Sequence, residues 1–285
     1  MCKTTEIRVG NAVLICGDMR EVLARPELKG HVDLIFTDPP YGHSNNNSGD
    51  LISRREAALG QGNEALGDKR PISNDDYVSA RGLFRRLVKL SQMVLKPGAW
   101  LDVCCGGGGG PKDIQMAKWS LYMQRQQQLS FEQIVIWDKG PIGMGWRLRR
   151  SYECILTAFR AGSKPVWTDK THAVENIIRP GAHGIKKILP GKGQHPTEKP
   201  VELAELFISL HTAPGMVVLD PFMGSGSTGV AALRTGRRFI GVELDPKWFR
   251  AASKRLQRCV ETNGVDVGTT PDRKTARLKS LWKEP

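Results

Sequence analysis

Met216-Val217-Val218-Leu219-Asp220-Pro221-Phe222-Met223-Gly224-Ser225-Gly226-Ser227-Thr228-Gly229 decides how this chain folds. Its first five residues are a short apolar run ending in an acid, the pattern of a strand buried on both faces. Glycines 224, 226 and 229 follow, and residues 227–234 have the pattern of a helix. Strand, glycine turn and helix in that order open a doubly wound α/β unit, in which a ligand meets the backbone of the turn. Glycine lets the chain turn tightly and approach that ligand closely. Residues 238–243 (RFIGVE) form the next strand, and its last residue, Glu243, is placed to bind ribose hydroxyls.

The same fingerprint fits a dinucleotide enzyme, but Asp220-Pro221 argues against one. A pyrophosphate wants bare N–H groups and the positive end of a helix dipole, and a carboxylate just before the glycines repels it. A carboxylate there suits a cationic amine. S-adenosylmethionine carries such an amine, a ribose and an adenine, and no phosphate.

Upstream, Val32-Asp33-Leu34-Ile35-Phe36-Thr37 reads as a second buried strand, and Asp38-Pro39-Pro40-Tyr41 follows it. In open parallel sheets, ligands bind beyond the carboxyl ends of the strands. A carboxylate and a carbonyl at that place can accept both hydrogens of an exocyclic amine, while the Tyr41 ring stacks on a flat base.

Residues 12–17 (AVLICG) read as a strand ending at Asp18, and residues 99–105, 131–137 and 152–159 as further strands. Asn74-Asp75 caps a helix whose apolar positions run from Leu83 to Val94, with Lys96-Pro97-Gly98 as its stop. Gly106 to Gly110 read as a pliable turn. Residues 199–211 read as a helix, and Pro246 opens a last one with a basic face. Strands alternating with helices imply an α/β fold, a mainly parallel sheet covered on both faces.

With 40% hydrophobic and 25% charged residues, the chain has the composition of a packed globule rather than a disordered one. Its net charge of +13 fits a polyanionic partner. The six cysteines form no CxxC pair and no zinc-spaced cluster, so no metal site is expected. They read as thiols in a reducing compartment. The N-terminus lacks the apolar stretch of a signal peptide, and no run approaches the roughly 20 apolar residues that span a bilayer. The expectation is a cytoplasmic protein with no membrane association.

Taken together, these residues resemble the amino-group (adenine-N6 and cytosine-N4) DNA methyltransferases, in the subgroup whose catalytic motif precedes the cofactor motif. The resemblance spans residues 7–260. It is carried by Asp38-Pro39-Pro40-Tyr41, Leu95-Lys96-Pro97-Gly98, Trp137-Asp138-Lys139, His195-Pro196-Thr197-Glu198-Lys199-Pro200, the loop from Asp220 to Gly226, and Gly241-Val242-Glu243. Ser227 stands where the family usually has Thr, which keeps the hydroxyl. The resemblance implies a Rossmann-like fold with a mostly parallel seven-stranded sheet, one strand reversed, in circularly permuted order. The strand before Asp18 would be an edge strand. Asp38, Pro39, Pro40 and Tyr41 would be catalytic. Asp18, Asp38, His195, Thr197, Lys199, Asp220, Pro221, Phe222, Gly224, Ser225, Gly226, Thr228 and Glu243 would hold S-adenosylmethionine. Within the family, Asp at the first motif position favours adenine and Ser favours cytosine. The carbon-5 route on cytosine needs a Pro-Cys pair, which this chain lacks. Cytosine N4 and a catalytically silent DNA-binding subunit stay open as alternatives.

The expected layout is a catalytic domain over 1–261 and a basic tail over 262–285. Residues 42–75 form a loop insertion, and residues 162–194 a DNA target-recognition segment. Between 142 and 199 stand eleven Lys and Arg against four Asp and Glu, which places double-stranded DNA there. Arg147, Arg149, Arg150, Lys186 and Lys187 are the expected contacts. A homodimer and a cognate restriction endonuclease are partners the family allows.

Overall fold

The structure is a computed structural model, and it describes residues 5–42, 77–106, 115–140, 151–185 and 198–262. The strands are β1 (Thr5–Val9), β2 (Ala12–Cys16), β3 (Val32–Thr37), β4 (Leu95–Gly106), β5 (Leu129–Asp138), β6 (Tyr152–Arg160), β7 (Ile177–Ile178), β8 (Val217–Asp220) and β9 (Arg238–Glu243). The helices are α1 (Met19–Val22), α2 (Tyr77–Val94), α3 (Gln115–Gln124), α4 (Val201–His211), α5 (Ser227–Arg234) and α6 (Pro246–Glu261).

All strands join one sheet in the order β1-β2-β9-β8-β3-β4-β6-β5-β7. From β2 to β4 the pairing is parallel throughout. β6 runs antiparallel to both β4 and β5. The seven strands from β2 to β5 are the expected sheet with one reversed member. Two additions lie outside it: β7 pairs parallel with β5, and β1 pairs antiparallel with β2. β1 corrects the expectation that the strand before Asp18 is an edge. Its inward Ile7 and Val9 alternate with exposed Glu6 and Arg8, and Gly10-Asn11 turn the hairpin.

Side chains alternate across the sheet, so each strand feeds two cores. Ile15, Ile35, Leu101 and Leu219 pack with α1, α2 and α3, whereas Leu14, Leu34, Phe36 and Val218 pack with α4, α5 and α6. The five described cysteines that lie in these elements are buried and form no disulfide. No described helix is long and apolar enough to cross a membrane.

Two elements differ from the sequence reading. Leu95 to Gly98 do not separate helix from strand, because β4 starts at Leu95 directly after α2. The register against β3 jumps from Val32↔Leu95 to Leu34↔Trp100, an irregularity across a stretch that includes Pro97, which has no N–H to give the ladder. α3 lies where no helix is expected, and Met116, Trp119, Ser120 and Met123 supply its inward face.

The glycine helix packs without slack. A Cβ on Gly229 would stand 2.7 Å from Phe239 Cε1 and 2.8 Å from Leu256 Cδ2. Gly229→Ala therefore destabilises the fold by about 1–3 kcal/mol despite alanine's better helix propensity. Thermal melting checks this; an unchanged or raised Tm would contradict the packing.

Candidate active site

The parallel strands deliver a row of acidic groups to one end of the sheet. Asp18 follows β2, Glu243 ends β9, Asp220 ends β8 and Asp38 follows β3. Chain order and spatial order differ: residues 38 and 220 are far apart in sequence, yet β3 and β8 are neighbours. The reversed strand β6 begins at the same end, since Glu153 pairs with Gly106, the last residue of β4.

Asp38 belongs to a charge cluster. Lys199 Nζ lies 2.6 Å from Asp38 Oδ2 and 3.1 Å from Glu153 Oε2, and Lys139 Nζ lies 2.8 Å from Glu153 Oε1. Burial works against the charge on Glu153, but Lys199 and Lys139 outweigh it and hold the carboxyl at about 2. Burial also works against the Lys199 ammonium, and Asp38 with Glu153 outweigh it, so its pKa is raised. At Asp38 burial wins: the carboxyl is raised despite Lys199. Two cations thus balance two carboxylates, and Asp38 holds its charge least firmly. Its Oδ1 is buried with no hydrogen bond of good geometry among the described residues, while Lys199 fixes Oδ2.

Tyr41 is positioned from the other side. Gln115 bridges two elements, with its Nε2 donating to the Tyr41 carbonyl at 2.8 Å and its Oε1 accepting from Gly106 N at 3.0 Å. Lys199 Nζ lies 5.3 Å from the Tyr41 ring centre, and Trp119 meets the ring edge-on at 6.5 Å. Pro39 is buried, and Pro40 is half-buried.

In the glycine loop, Asp220 Oδ1 accepts from Thr37 Oγ1 at 2.7 Å and from Phe222 N at 3.1 Å. Glu243 accepts from Gly224 N at 2.8 Å and from Asp245 N at 2.9 Å. Gly224 and Gly226 have φ of 52° and 83°, in the left-handed region where glycine carries no Cβ penalty. Burial raises Asp220 to about 6 against the hydrogen bonds of Thr37 and Thr228. It raises Glu243 to about 7 against the backbone bonds of Asp245 and Gly224. No ion pair to either carboxylate occurs among the described residues. An uncompensated pair of acids beside a tight glycine turn fits a cationic ligand that carries hydroxyls, so these residues fit S-adenosylmethionine.

Asp18 lies beside Glu243, since Gly17 N donates to the Glu243 carbonyl at 2.9 Å. Its carboxylate already caps α1 and takes the Arg20 guanidinium, and that hydrogen bond holds its pKa below the usual carboxylate range. Pro221, Phe222 and Thr228 lie in the loop and first turn of α5, and Ser225 is gripped by Arg255. His195, Thr197, Arg147, Arg149, Arg150, Lys186 and Lys187 lie outside the described residues, as do nearly all of residues 42–75 and the tail beyond 262.

Four contributors were not singled out from sequence: Glu153, Gln115, Thr37 and Arg255. Arg255 pairs with Glu198 at 2.7 Å and donates to Ser225 Oγ and Ser227 Oγ, both at 3.2 Å. It thereby ties the segment carrying Lys199 to the glycine loop. In the region expected to recognise DNA, Arg160 donates to the Leu95 carbonyl, and Trp100 Nε1 donates to the Val166 carbonyl at 2.7 Å. Residues 160–166 therefore lie at the end of the sheet remote from Asp38. Ile177–Ile178 return to the near end, paired with Ile136 and Trp137.

A doubly wound sheet with this end-of-strand site defines a Rossmann-like methyltransferase. Residues 32–254 match the model of the N6/N4 DNA methylase family. The chain is 30% identical over 268 residues to the type II methyltransferase M2.DpnII of Streptococcus pneumoniae, covering 88% of this chain and 91% of that one. It is 29% identical over 275 residues to M2.LlaDCHI of Lactococcus lactis subsp. cremoris, covering 87% and 90%. Among solved structures, the M1.HpyAVI–SAM complex matches with a TM-score of 0.58 and 25% identity, over 85% of this chain and 98% of that one. The cytosine-N4-specific PvuII DNA methyltransferase matches with a TM-score of 0.63 over 90% and 94%, at 18% identity, and shares the fold alone. The chain belongs to the N6/N4 DNA methylase family: it is a DNA methyltransferase whose cofactor is S-adenosylmethionine.

Proposed function

We propose that this enzyme methylates the exocyclic N6 of adenine in double-stranded DNA. The observation that carries the reading is Asp38 at the end of β3, with one carboxylate oxygen fixed by Lys199 and the other buried beside the Pro39–Tyr41 turn. When bound, the cofactor supplies a methyl group on a cationic sulfur. The protein's part is to hold the acceptor. Asp38 Oδ1 and the Pro39 carbonyl would accept the two amine hydrogens and draw the nitrogen toward tetrahedral geometry, which makes its lone pair available to the methyl group; the nitrogen, cationic once alkylated, would then lose one of these protons by way of Asp38 to solvent. A base within a duplex cannot reach this pocket, so it is flipped out and stacked on Tyr41. Lys199 stays protonated and holds Asp38 in its working orientation. Asp220, Gly224 and Glu243 hold the cofactor's methionine and ribose portions. The basic region between 142 and 199 supplies further DNA contacts through Arg147, Arg149, Arg150, Lys186 and Lys187, with 162–194 as its main recognition segment.

Digesting treated, sequence-diverse DNA to nucleosides and identifying the methylated one by mass spectrometry tests the base. N6-methyladenine is expected. N4-methylcytosine as the product would replace adenine with the other amine of the family, and no product on any DNA would favour a silent subunit.

The raised acids also give a pH signature. Glu243 titrates near 4.5 in the unfolded chain and about 7 in the fold, so it contributes stability below about pH 4.5 that is lost as the pH rises through about 7. A cationic ligand that donates hydroxyls prefers the carboxylate. Affinity for S-adenosylmethionine is therefore expected to increase by up to about tenfold per pH unit below the midpoint and to level off above it. Glu243→Gln should weaken binding and flatten the profile. Calorimetric titration from acid to neutral pH checks both; a wild-type affinity independent of pH would contradict them.

A further inference from the structure

Helices α2 and α3 present a cationic face beside the catalytic motif that the mechanism does not use. α3 starts where β4 ends, next to Tyr41, and α2 runs back toward the start of β4, so the first turns of both helices lie at the active-site end. Neither helix contains an acid. Arg81, Arg85, Arg86 and Lys89 are exposed on α2, and Arg125 follows α3. None of these five has an ion pair among the described residues. Ordinary surfaces intersperse the two signs, so an unbalanced row of this kind needs an anionic occupant more than solvent alone.

Between the helices opens a cavity of 280 Å³, lined by Tyr41, Arg81, Phe84, Arg85, Trp119 and Tyr122 among others. Its floor is built: Phe84 and Trp119 stack at 4.0 Å with their planes 6° apart, and the Arg85 guanidinium lies 5.4 Å over the Tyr122 ring. Rings with guanidinium groups at a cavity mouth are the parts on which single bases stack while their phosphates are neutralised. Tyr41 is common to this cavity and to the catalytic cluster: Trp119 meets it from the one and Lys199 from the other.

We infer that the α2–α3 face is a DNA-contact surface continuous with the active site, with strand phosphates on Arg81, Arg85 and Arg125 and one unstacked base in the cavity against Tyr122. The inference rests on DNA being the substrate. It assigns part of the grip on DNA to a face distinct from the basic segment after residue 142.

The test compares the full-length enzyme with R81A/R85A/R125A, measuring duplex DNA affinity by fluorescence anisotropy over a range of salt concentrations. Each phosphate contact contributes about 0.9 to the slope of log affinity against log salt, so the triple variant should lose at least about tenfold in affinity at low salt and flatten the slope by about 2–3. Its affinity for S-adenosylmethionine should match the wild type, which also shows that it folds. Tyr122→Ala should weaken DNA binding several-fold at every salt concentration with the slope kept. The variant R250A/K254A/R258A on α6 removes the same charge from the opposite face and should retain most of the affinity. An equal loss there would assign the effect to net charge and overturn the inference. Unchanged affinity and slope in R81A/R85A/R125A would overturn it alone. A wild type that binds S-adenosylmethionine but no DNA would overturn both the inference and the DNA reading beneath it.

Discussion

Asp38→Ala should lower methyl transfer by at least about a thousandfold in kcat, while affinity for S-adenosylmethionine changes far less. Removing one preorganised hydrogen-bonding group at a reacting centre costs about 10²–10³ in rate, and Asp38 supplies both the group and its charge. The ground state should lose little, because the loop proposed to hold the cofactor is built by Asp220, Gly224 and Glu243, whose hydrogen bonds do not involve Asp38. Asp38→Asn should be nearly as slow: it keeps the shape but presents an amide that can turn its N–H groups toward the amine, and it leaves Lys199 with one carboxylate fewer. Single-turnover kinetics beside calorimetric cofactor binding separates the two quantities. A variant that retains near-normal turnover would remove Asp38 from the chemistry.

Lys199→Met should be the most damaging substitution to stability among the polar site residues. It leaves Asp38 and Glu153 without their shared cation, with Lys139 alone remaining on Glu153 among the described residues. Breaking a buried ion pair by removing one partner costs about 3–5 kcal/mol. Lys199 has only 11% of its side chain exposed, so solvent screens little of that loss. The rate should fall as well, because burial already raises the Asp38 carboxyl and, among the described residues, Lys199 is the cation that opposes it. Without that charge the carboxyl rises further, so the surviving activity should return only at higher pH. Lys199→Arg keeps the charge and should recover most of the stability and the wild-type pH profile. Urea unfolding together with a pH–rate profile reads both effects. A Lys199→Met enzyme with wild-type stability and an unshifted profile would show that the cluster does not matter.

Much of this site was legible in the sequence because its parts lie at strand ends. The apolar runs at 32–37 and 216–220 locate Asp38 and Asp220, and the glycines at 224 and 226 mark the turn between them and α5. What pairwise reading could not supply was direction. Residues 152–159 read as a strand, but nothing local says that it runs backwards, and only the reversal brings Glu153 to the catalytic end. Glu153 would otherwise pass for an outward acid at a strand start. Gln115 was hidden for another reason: the helix it opens follows a glycine run, and only Met116, Trp119 and Met123 carry its period. β1 had a visible signal in the alternation of Thr5 to Val9 before Gly10-Asn11, but a five-residue edge strand is weak evidence beside a complete α/β pattern. The first part of the segment from residue 162 lacks periodicity because it is pinned by side chains of the sheet rather than by a ladder of its own. Trp100 holds the Val166 carbonyl, and Trp167 packs toward Trp100 and His211.

Under the proposed function, Asp38 and the turn after it present an adenine amine to the methyl donor. The most direct measurement is single-molecule sequencing of unmethylated plasmid DNA after incubation with the enzyme and S-adenosylmethionine, run in parallel with Asp38→Ala. N6-methyladenine at a recurring sequence context is expected with the wild type and none with the variant. Modification on cytosine N4, or adenine methylation that survives Asp38→Ala, would contradict it.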